Sequence, residues 1–390
     1  MDKSEDIERL ADTEIRLSYF LAEQIKNSTT YFGYPEVPEN NDLSILGISS
    51  LAKLHLNNAG DPWVHGNAKM HTKQFEQEAL DFVADIYGIK KNYWGYITSG
   101  GTEGNLYGMY TSRDYFLAHN KTPIFLFTDS SHYSIPKNAH LLGLTAIQIN
   151  SQPSGEMDYS DLRKQLGTIG TKQGIIINLN IGTTMTGAMD SLEEINAIID
   201  GLGIARDRIS IHADAALMGF IYPFLDKAEH LFKNGLSSIA ISGHKFPGAI
   251  HPCGIVLTKK TVHEIAFGDQ WVPYVGTQDT TISGSRNGFL ALNLWYIFRK
   301  KGVKGFRKEG KQCIENAQYL CEKLKGMKYP NVAYFPNQII VTFKKPHKTI
   351  VSKYQLATEG DIAHVVVMQH ITKSRIDTFC KELQKSVSRT

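Results

Sequence analysis

The sequence predicts an α/β fold, a mainly parallel sheet with helices on both faces, followed by a small α+β C-terminal domain. Three observations carry that expectation. From YWGYITS (93–99) to CGIVLTK (253–259), strand-like runs alternate with helical patterns. Several runs, QGIIINLN above all, are apolar without alternation, as strands buried on both faces are. After about residue 290 long helical stretches take over. The 390 residues exceed what one core usually serves, so the chain divides into an N-terminal arm (1–69), a large domain (70–290) and a small domain (291–390).

The elements follow in order. Ile7, Leu10, Ile15, Leu17, Phe20 and Leu21 space one apolar face on a helix over residues 1 to about 30. YFGYPEVPENND (31–42) is broken by Gly33, Pro35 and Pro38 and reads as loop. A helix over QFEQEALDFVADIYG stops at Gly88. Strands are expected at YWGYITS, TPIFLFTD, TAIQIN, QGIIINLN, RISIHAD, SSIAIS and CGIVLTK. Helices are expected at GTEGNLYGMYTSRDYFLA, IPKNAHLLG, YSDLRKQLGT and SLEEINAIIDGLG, with Pro136 suited to a first turn. ALNLWYIFRKKGVKGFRKEGKQCIENAQYLCEKLKG reads as long helices, NQIIVTF and DIAHVVVM as strands, and the chain closes on a helix.

Composition narrows the function classes. The chain is 42% hydrophobic and 21% charged, with a net charge of +3. So balanced a charge gives no footprint for nucleic acid or a membrane surface. The acidic start MDKSEDIERL is unlike a secretory signal, and no apolar run reaches the ~20 residues of a membrane span. Cys253, Cys313, Cys321 and Cys380 form no C-x-x-C pair, which suits reduced thiols in the cytoplasm. His263 and Glu264 begin an H-E-x-x-H pattern, but Phe267 takes its last position, and His251 and Cys253 have no evident partners. No metal site is expected.

Four segments could carry chemistry. RISIHADAAL ends an apolar strand on His212 and Asp214 beside small alanines. Ligands of α/β sheets sit at such strand ends, although a strand-end Asp can equally cap the next helix. SSIAISGHKFPG runs a strand into Ser242, Gly243, His244 and Lys245. A lysine buried there becomes nucleophilic, whereas an exposed one is a loop residue. The two segments reinforce each other, because 245 − 214 = 31 residues is about one helix-plus-strand unit. An Asp for a pyridinium nitrogen and an imine-forming Lys are the two groups that pyridoxal 5'-phosphate needs. TSGGTEGN (98–105) offers Gly100, Gly101 and Thr102 at a helix N-terminus, a place for a phosphate, and does not fit G-x-G-x-x-G. His132 follows a strand and is either a ring-stacking group or a surface histidine.

Together with YFGYPE, LNNAGDP, QFEQE, SHYS, NIGTTMTGAMD, PCGIV, DTTISGSRNG and GDIAH, these segments run through nearly the whole chain in order. The sequence thereby resembles the group II pyridoxal-phosphate-dependent amino-acid decarboxylases of fold type I, the aspartate-aminotransferase-like fold. Its likeness divides between bacterial histidine decarboxylases and plant serine decarboxylases. LNNAGDP and LNLWYIFRKKGVKGFRKEGKQC look like the serine enzymes, and NIGTTMTGAMD, HADAAL and the length like the histidine enzymes.

The resemblance implies roles. Lys245 would hold the cofactor as an imine, Asp214 would pair with its ring nitrogen and His132 would stack on the ring. Gly101, Thr102, Ser242 and His244 would contact the phosphate, with Thr184 and Ala216 beside the ring. Tyr274 would lie in a loop that helps protonate the product. It implies a homodimer with active sites at the subunit interface. The expected reaction is decarboxylation of a small polar L-amino acid, L-histidine to histamine before L-serine to ethanolamine. Transamination or C–S or C–C lysis uses the same cofactor grip, and a non-catalytic homologue is the remaining alternative. Gln278, Gln338, Ala249 and His251 depart from the family pattern and are candidates for a reshaped substrate pocket.

Overall fold

The computed structural model describes residues 3–38, 48–225 and 231–387, with the backbone alone for residues 3–12, 48, 49 and 387. The end of the expected loop, residues 39–42, and the side chains of Ile7 and Leu10 lie outside the described residues.

Helices α1 (Lys3–Ser28), α2 (Ile48–Leu51) and α3 (Lys73–Ile86) lead into the alternating region. It runs β1 (Tyr93–Thr98), α4 (Gly101–Ala118), β2 (Pro123–Thr128), α5 (Ser134–Leu141), β3 (Thr145–Ile149), α6 (Tyr159–Leu166), β4 (Gly174–Asn180), α7 (Leu192–Gly201), β5 (Ile209–Asp214), β6 (Leu236–Ser242) and β7 (Gly254–Lys259). Then come α8 (Lys260–Phe267), β8 (Trp271–Val272), β9 (Thr277–Gln278), α9 (Gly288–Gly326), β10 (Ile340–Lys344), α10 (Lys348–Lys353), β11 (Ala357–Glu359), β12 (Ile362–Val366) and α11 (Lys373–Val387).

The seven main strands form one sheet in the order β1-β7-β6-β5-β4-β2-β3. Strands β3, β2, β4, β5 and β6 are parallel, and β7 runs antiparallel to both β6 and β1. All seven residues of β4 are buried, as its unbroken apolar run requires, while β3 at the edge is largely exposed. The crossover helices begin where capping residues stand. Asp158 accepts from Ser160 and Asp161 N–H groups on α6, and Ser191 accepts from Glu194 N–H on α7. This parallel order brings the C-terminal ends of β4, β5 and β6 side by side, so Asn180, Asp214 and Ser242 end on one edge.

A smaller antiparallel sheet, β10-β12-β11, has its own apolar cluster of Val341, Phe343, Val365, Phe379 and Leu383. The two clusters meet along α9. Leu290 to Cys313 serve the large one, and Ala317 to Leu324 the small one. Helix α9 is broken at Gly302, whose φ of 55° suits glycine. The segment after α1 is tied to the small sheet, because Val366 N–H donates to Phe32 O at 2.9 Å.

The sequence reading did not separate out α8, α10, β11 or the β8–β9 hairpin. These are two-to-eight-residue elements, too short for periodicity to mark. His263 of the incomplete H-E-x-x-H pattern is a core residue on α8. Its ring stacks on Trp94 at 4.0 Å, and its Nδ1 lies 3.0 Å from the Tyr107 hydroxyl.

Candidate active site

The three strand ends open into a cavity of about 1130 Å³, roomy for a cofactor-sized molecule and a small substrate. Its lining includes Gly101, Thr102, His132, Thr184, Asp214, Ala216, Ser242, His244 and Lys245. The structure therefore brings together every expected site residue except Tyr274. That residue is 85% exposed in the turn between β8 and β9, outside the lining.

Lys245 follows β6 on a tight turn. Gly243 N–H donates to Cys253 O at 2.8 Å, and Gly248 N–H to Lys245 O at 3.0 Å. Only glycine fits at 243, since a Cβ would stand 2.8 Å from Cys253 Sγ. Burial lowers the Lys245 pKa below the ordinary ammonium value, against the opposing pull of the Asp214 and Glu36 carboxylates. A desolvated amine of this kind is a nucleophile.

Asp214 ends β5 and is buried. Its Oδ1 accepts from Ala216 N–H at 3.1 Å and its Oδ2 from Asn105 Nδ2 at 2.8 Å. Asp214 thus closes a strand-end turn and also lines the cavity. His132 accepts at Nδ1 from Ser134 N–H at 3.3 Å, with Ser134 Oγ 2.7 Å away, so Nε2 carries the proton of the neutral ring. Burial lowers its pKa, Asp214 opposes that shift, and Lys245 and Lys137 add to it. Burial also lowers His244, whose Nδ1 stands 2.8 Å from Cys253 O.

The start of α4 forms a cradle. A Cβ on Gly101 would stand 2.8 Å from Ser242 Oγ and 3.1 Å from Ala216 Cβ. The first N–H groups of the helix, the Thr102 and Ser242 hydroxyls and His244 suit a phosphate there. With Lys245 and Asp214 in the same cavity, these residues fit pyridoxal phosphate.

Glu36 was missed as a site residue, although its segment YFGYPE stood out. It lines the cavity and accepts from the Tyr31 hydroxyl at 2.8 Å. Its signal was hidden because a long-range tie places it. His364 bridges Met185 O at 3.0 Å and Gly33 O at 2.9 Å. Gln278, Gln338, Ala249 and His251 do not line the cavity. Gln278 donates to Asp269 at 2.7 Å, Gln338 is buried beneath Gly187, and His251 is exposed.

Comparison with known proteins agrees with this geometry. Residues 39–345 match the pyridoxal-dependent decarboxylase conserved domain. The chain is 41% identical to serine decarboxylase 3 of Oryza sativa subsp. japonica, over 90% of this chain and 77% of that one. It is 39% identical to histidine decarboxylase of Solanum lycopersicum, over 87% and 81%. The fold matches L-methionine decarboxylase from Streptomyces sp. 590 in its internal aldimine form, with a TM-score of 0.84, 24% identity, and coverage of 99% and 96%.

Proposed function

From the premise that the chain belongs to the pyridoxal-dependent decarboxylase family, and is a pyridoxal-phosphate-dependent amino-acid decarboxylase, we propose its substrate, its site residues and its assembly. The substrate is a small polar L-amino acid, L-serine first and L-histidine second. The single observation carrying the site assignment is the convergence of Lys245, Asp214, His132 and the Gly101 cradle on one cavity.

Lys245 links to the cofactor, Asp214 meets its ring nitrogen and His132 covers one ring face. When bound, the cofactor supplies an electron sink for the bond broken at Cα. The chain's own groups choose which bond that is. His132 Nε2–H, left free by the Ser134 contacts at Nδ1, would be available to donate to a substrate carboxylate. Burial lowers the Lys245 pKa, against the pull of the Asp214 and Glu36 carboxylates, which makes its amine a better proton acceptor and donor partner at Cα than an exposed lysine. Glu36 accepts a hydrogen bond from the substrate side chain, a hydroxyl or an imidazole N–H.

The order of substrates turns here on the serine relatives. Identity to the rice serine enzyme is the higher of the two, and LNNAGDP shares its likeness. Histidine stays second because the tomato enzyme is nearly as similar. Measuring kcat/KM for ethanolamine and histamine formation on purified holoenzyme decides. A higher value for histidine reverses the order, and no amine from either removes both.

The active assembly is a homodimer. Leu17, Phe20, Leu21 and Ile25 on α1 are each more than half exposed and lie at helical spacing on a surface that no other described residue covers. A second copy brings the exposed Tyr274 turn to a neighbouring cavity. The compartment is the cytoplasm, in keeping with four free buried cysteines. No helix among the described residues is long and apolar enough to cross a membrane.

A further inference from the structure

Behind Asp214 lies a buried polar chain that the reaction as described above does not use. Asn105 Nδ2 is 2.8 Å from Asp214 Oδ2, and Asn105 Oδ1 is 3.0 Å from His212 Nε2. His212 Nδ1 is 2.8 Å from Ser238 Oγ. Asn105, His212 and Ser238 are each at most 1% exposed and sit on α4, β5 and β6.

Hydrogen-bond chemistry fixes every direction in this chain. A carboxylate only accepts, so Asn105 must turn its NH2 to Asp214 and its oxygen to His212. That oxygen also only accepts, so His212 Nε2 carries the proton. A neutral ring has one proton, so Nδ1 is bare and accepts from the Ser238 hydroxyl. Complete burial pushes the His212 pKa down to about 3, which keeps the ring neutral. The donors therefore run Ser238 to His212 to Asn105 to Asp214, all aimed at the carboxylate. On the cavity side the titratable groups acting with Asp214 are His132 and Lys245.

The local sequence makes room for this chain. His212 and Asp214 are two residues apart, so both project from the same side of β5. Asn105 is one helical turn beyond Gly101, on the same side of α4 as the cradle. A Cβ on Gly108 would stand 2.2 Å from His212 Nδ1, so glycine there lets the helix close over the imidazole. A core position between helix and sheet is more cheaply filled by an apolar side chain, since buried polar groups cost free energy unless every bond is made.

We propose that Asn105 and His212 are positioning residues for Asp214: they hold its carboxylate in one orientation toward the cofactor ring nitrogen, with Ser238 setting the His212 tautomer. This rests on the assignment of Asp214 to that nitrogen. Hydrogen-bond partners that orient metal ligands change activity about 10- to 100-fold when removed, and an effect of that order is expected for the groups that orient Asp214.

The test uses full-length holoenzyme and the variants His212→Leu, His212→Gln and Asn105→Leu, with Asp214→Asn alongside. His212→Leu and Asn105→Leu are expected to lower kcat about 10- to 100-fold with KM within about threefold, and to move the pH midpoint of the lysine-bound cofactor's absorbance. His212→Gln, which can donate to Asn105 and accept from Ser238, is expected to recover most of both. In wild-type holoenzyme labelled with 15N-histidine, the His212 resonance should be the Nε2–H tautomer, a readout that needs no variant to fold. An Nδ1–H tautomer overturns the proposal, as does a folded His212→Leu with unchanged kcat and midpoint. If Asp214→Asn itself is fully active, the assignment beneath the proposal fails. If Asp214→Asn is inactive while His212→Leu is normal, the positioning role alone fails.

Discussion

A Cβ placed on Gly101 would stand 2.8 Å from Ser242 Oγ, so helix α4 and the strand end of β6 approach as closely as they do around a missing side chain. The phosphate is expected beside this close approach. Gly101→Val would force the two elements apart, and cofactor affinity should fall at least about tenfold, or about 1.4 kcal/mol. Titration of the apoprotein with pyridoxal phosphate, followed by visible absorbance, reads this directly. Unchanged affinity would move the phosphate elsewhere.

Glu76 and Arg286 form a fully buried ion pair joining α3 to the segment before α9. Glu76 also accepts from Asn58 Nδ2 at 2.8 Å and Ile97 N–H at 2.9 Å, and Arg286 donates to Gly60 O at 3.0 Å. Removing one charge strands the other, so Glu76→Gln should cost about 3 kcal/mol or more of stability. Urea denaturation gives the value, and a midpoint equal to wild type would show that the pair holds nothing together.

Acid should unfold the protein from a defined point. Burial pushes His212 and His263 down to about 3 from the ordinary histidine value of 6.5. Above pH 6.5 both states are neutral at these rings and no stability is lost. Below it the unfolded chain binds protons that the folded chain refuses, so stability falls with pH until about pH 3. Each histidine contributes up to about 1.4 kcal/mol per pH unit across that window. Denaturation midpoints at pH 7.5, 6 and 5 should fall accordingly, and His263→Phe should flatten the slope. A slope unaffected by that change would mean His263 protonates freely in the fold.

The uncovered face of α1 predicts dissociation on charging it. Leu17→Glu with Leu21→Glu, at residues each 61% exposed, should leave the monomer fold intact and shift the sedimentation coefficient from dimer to monomer. A wild-type monomer at micromolar concentration would contradict the homodimer.

Much of the site was legible because its residues sit at the ends of strands that announce themselves. The strand-like runs RISIHAD and SSIAIS put Asp214 at a strand end and Lys245 just after one, and the parallel order places them together. Gly100–Thr102 showed itself as a strand–helix junction. Glu36, Asn105 and His212 escaped a role because nothing local marks them. Glu36 depends on the bridge from His364 to Gly33, 331 residues away in sequence, and Asn105 on a bond across 109 residues. Gln338 was a pocket candidate as a departure from the family pattern, but its side chain lies behind Gly187 rather than in the cavity lining. Tyr274, exposed in the turn between β8 and β9, lies outside the cavity of its own chain.

Lys245 and Asp214 are proposed to direct loss of CO2 from a small polar amino acid. The product balance of holoenzyme given L-serine, and separately L-histidine, beside Lys245→Ala and Asp214→Asn, tests this most directly. The prediction is one CO2 per amine, ethanolamine faster than histamine. Lys245→Ala should lose the bound-cofactor absorbance and almost all turnover. Asp214→Asn should keep the cofactor and lose about a hundredfold or more in kcat. A keto acid or pyruvate without CO2, or near-wild-type turnover by Lys245→Ala, would contradict it.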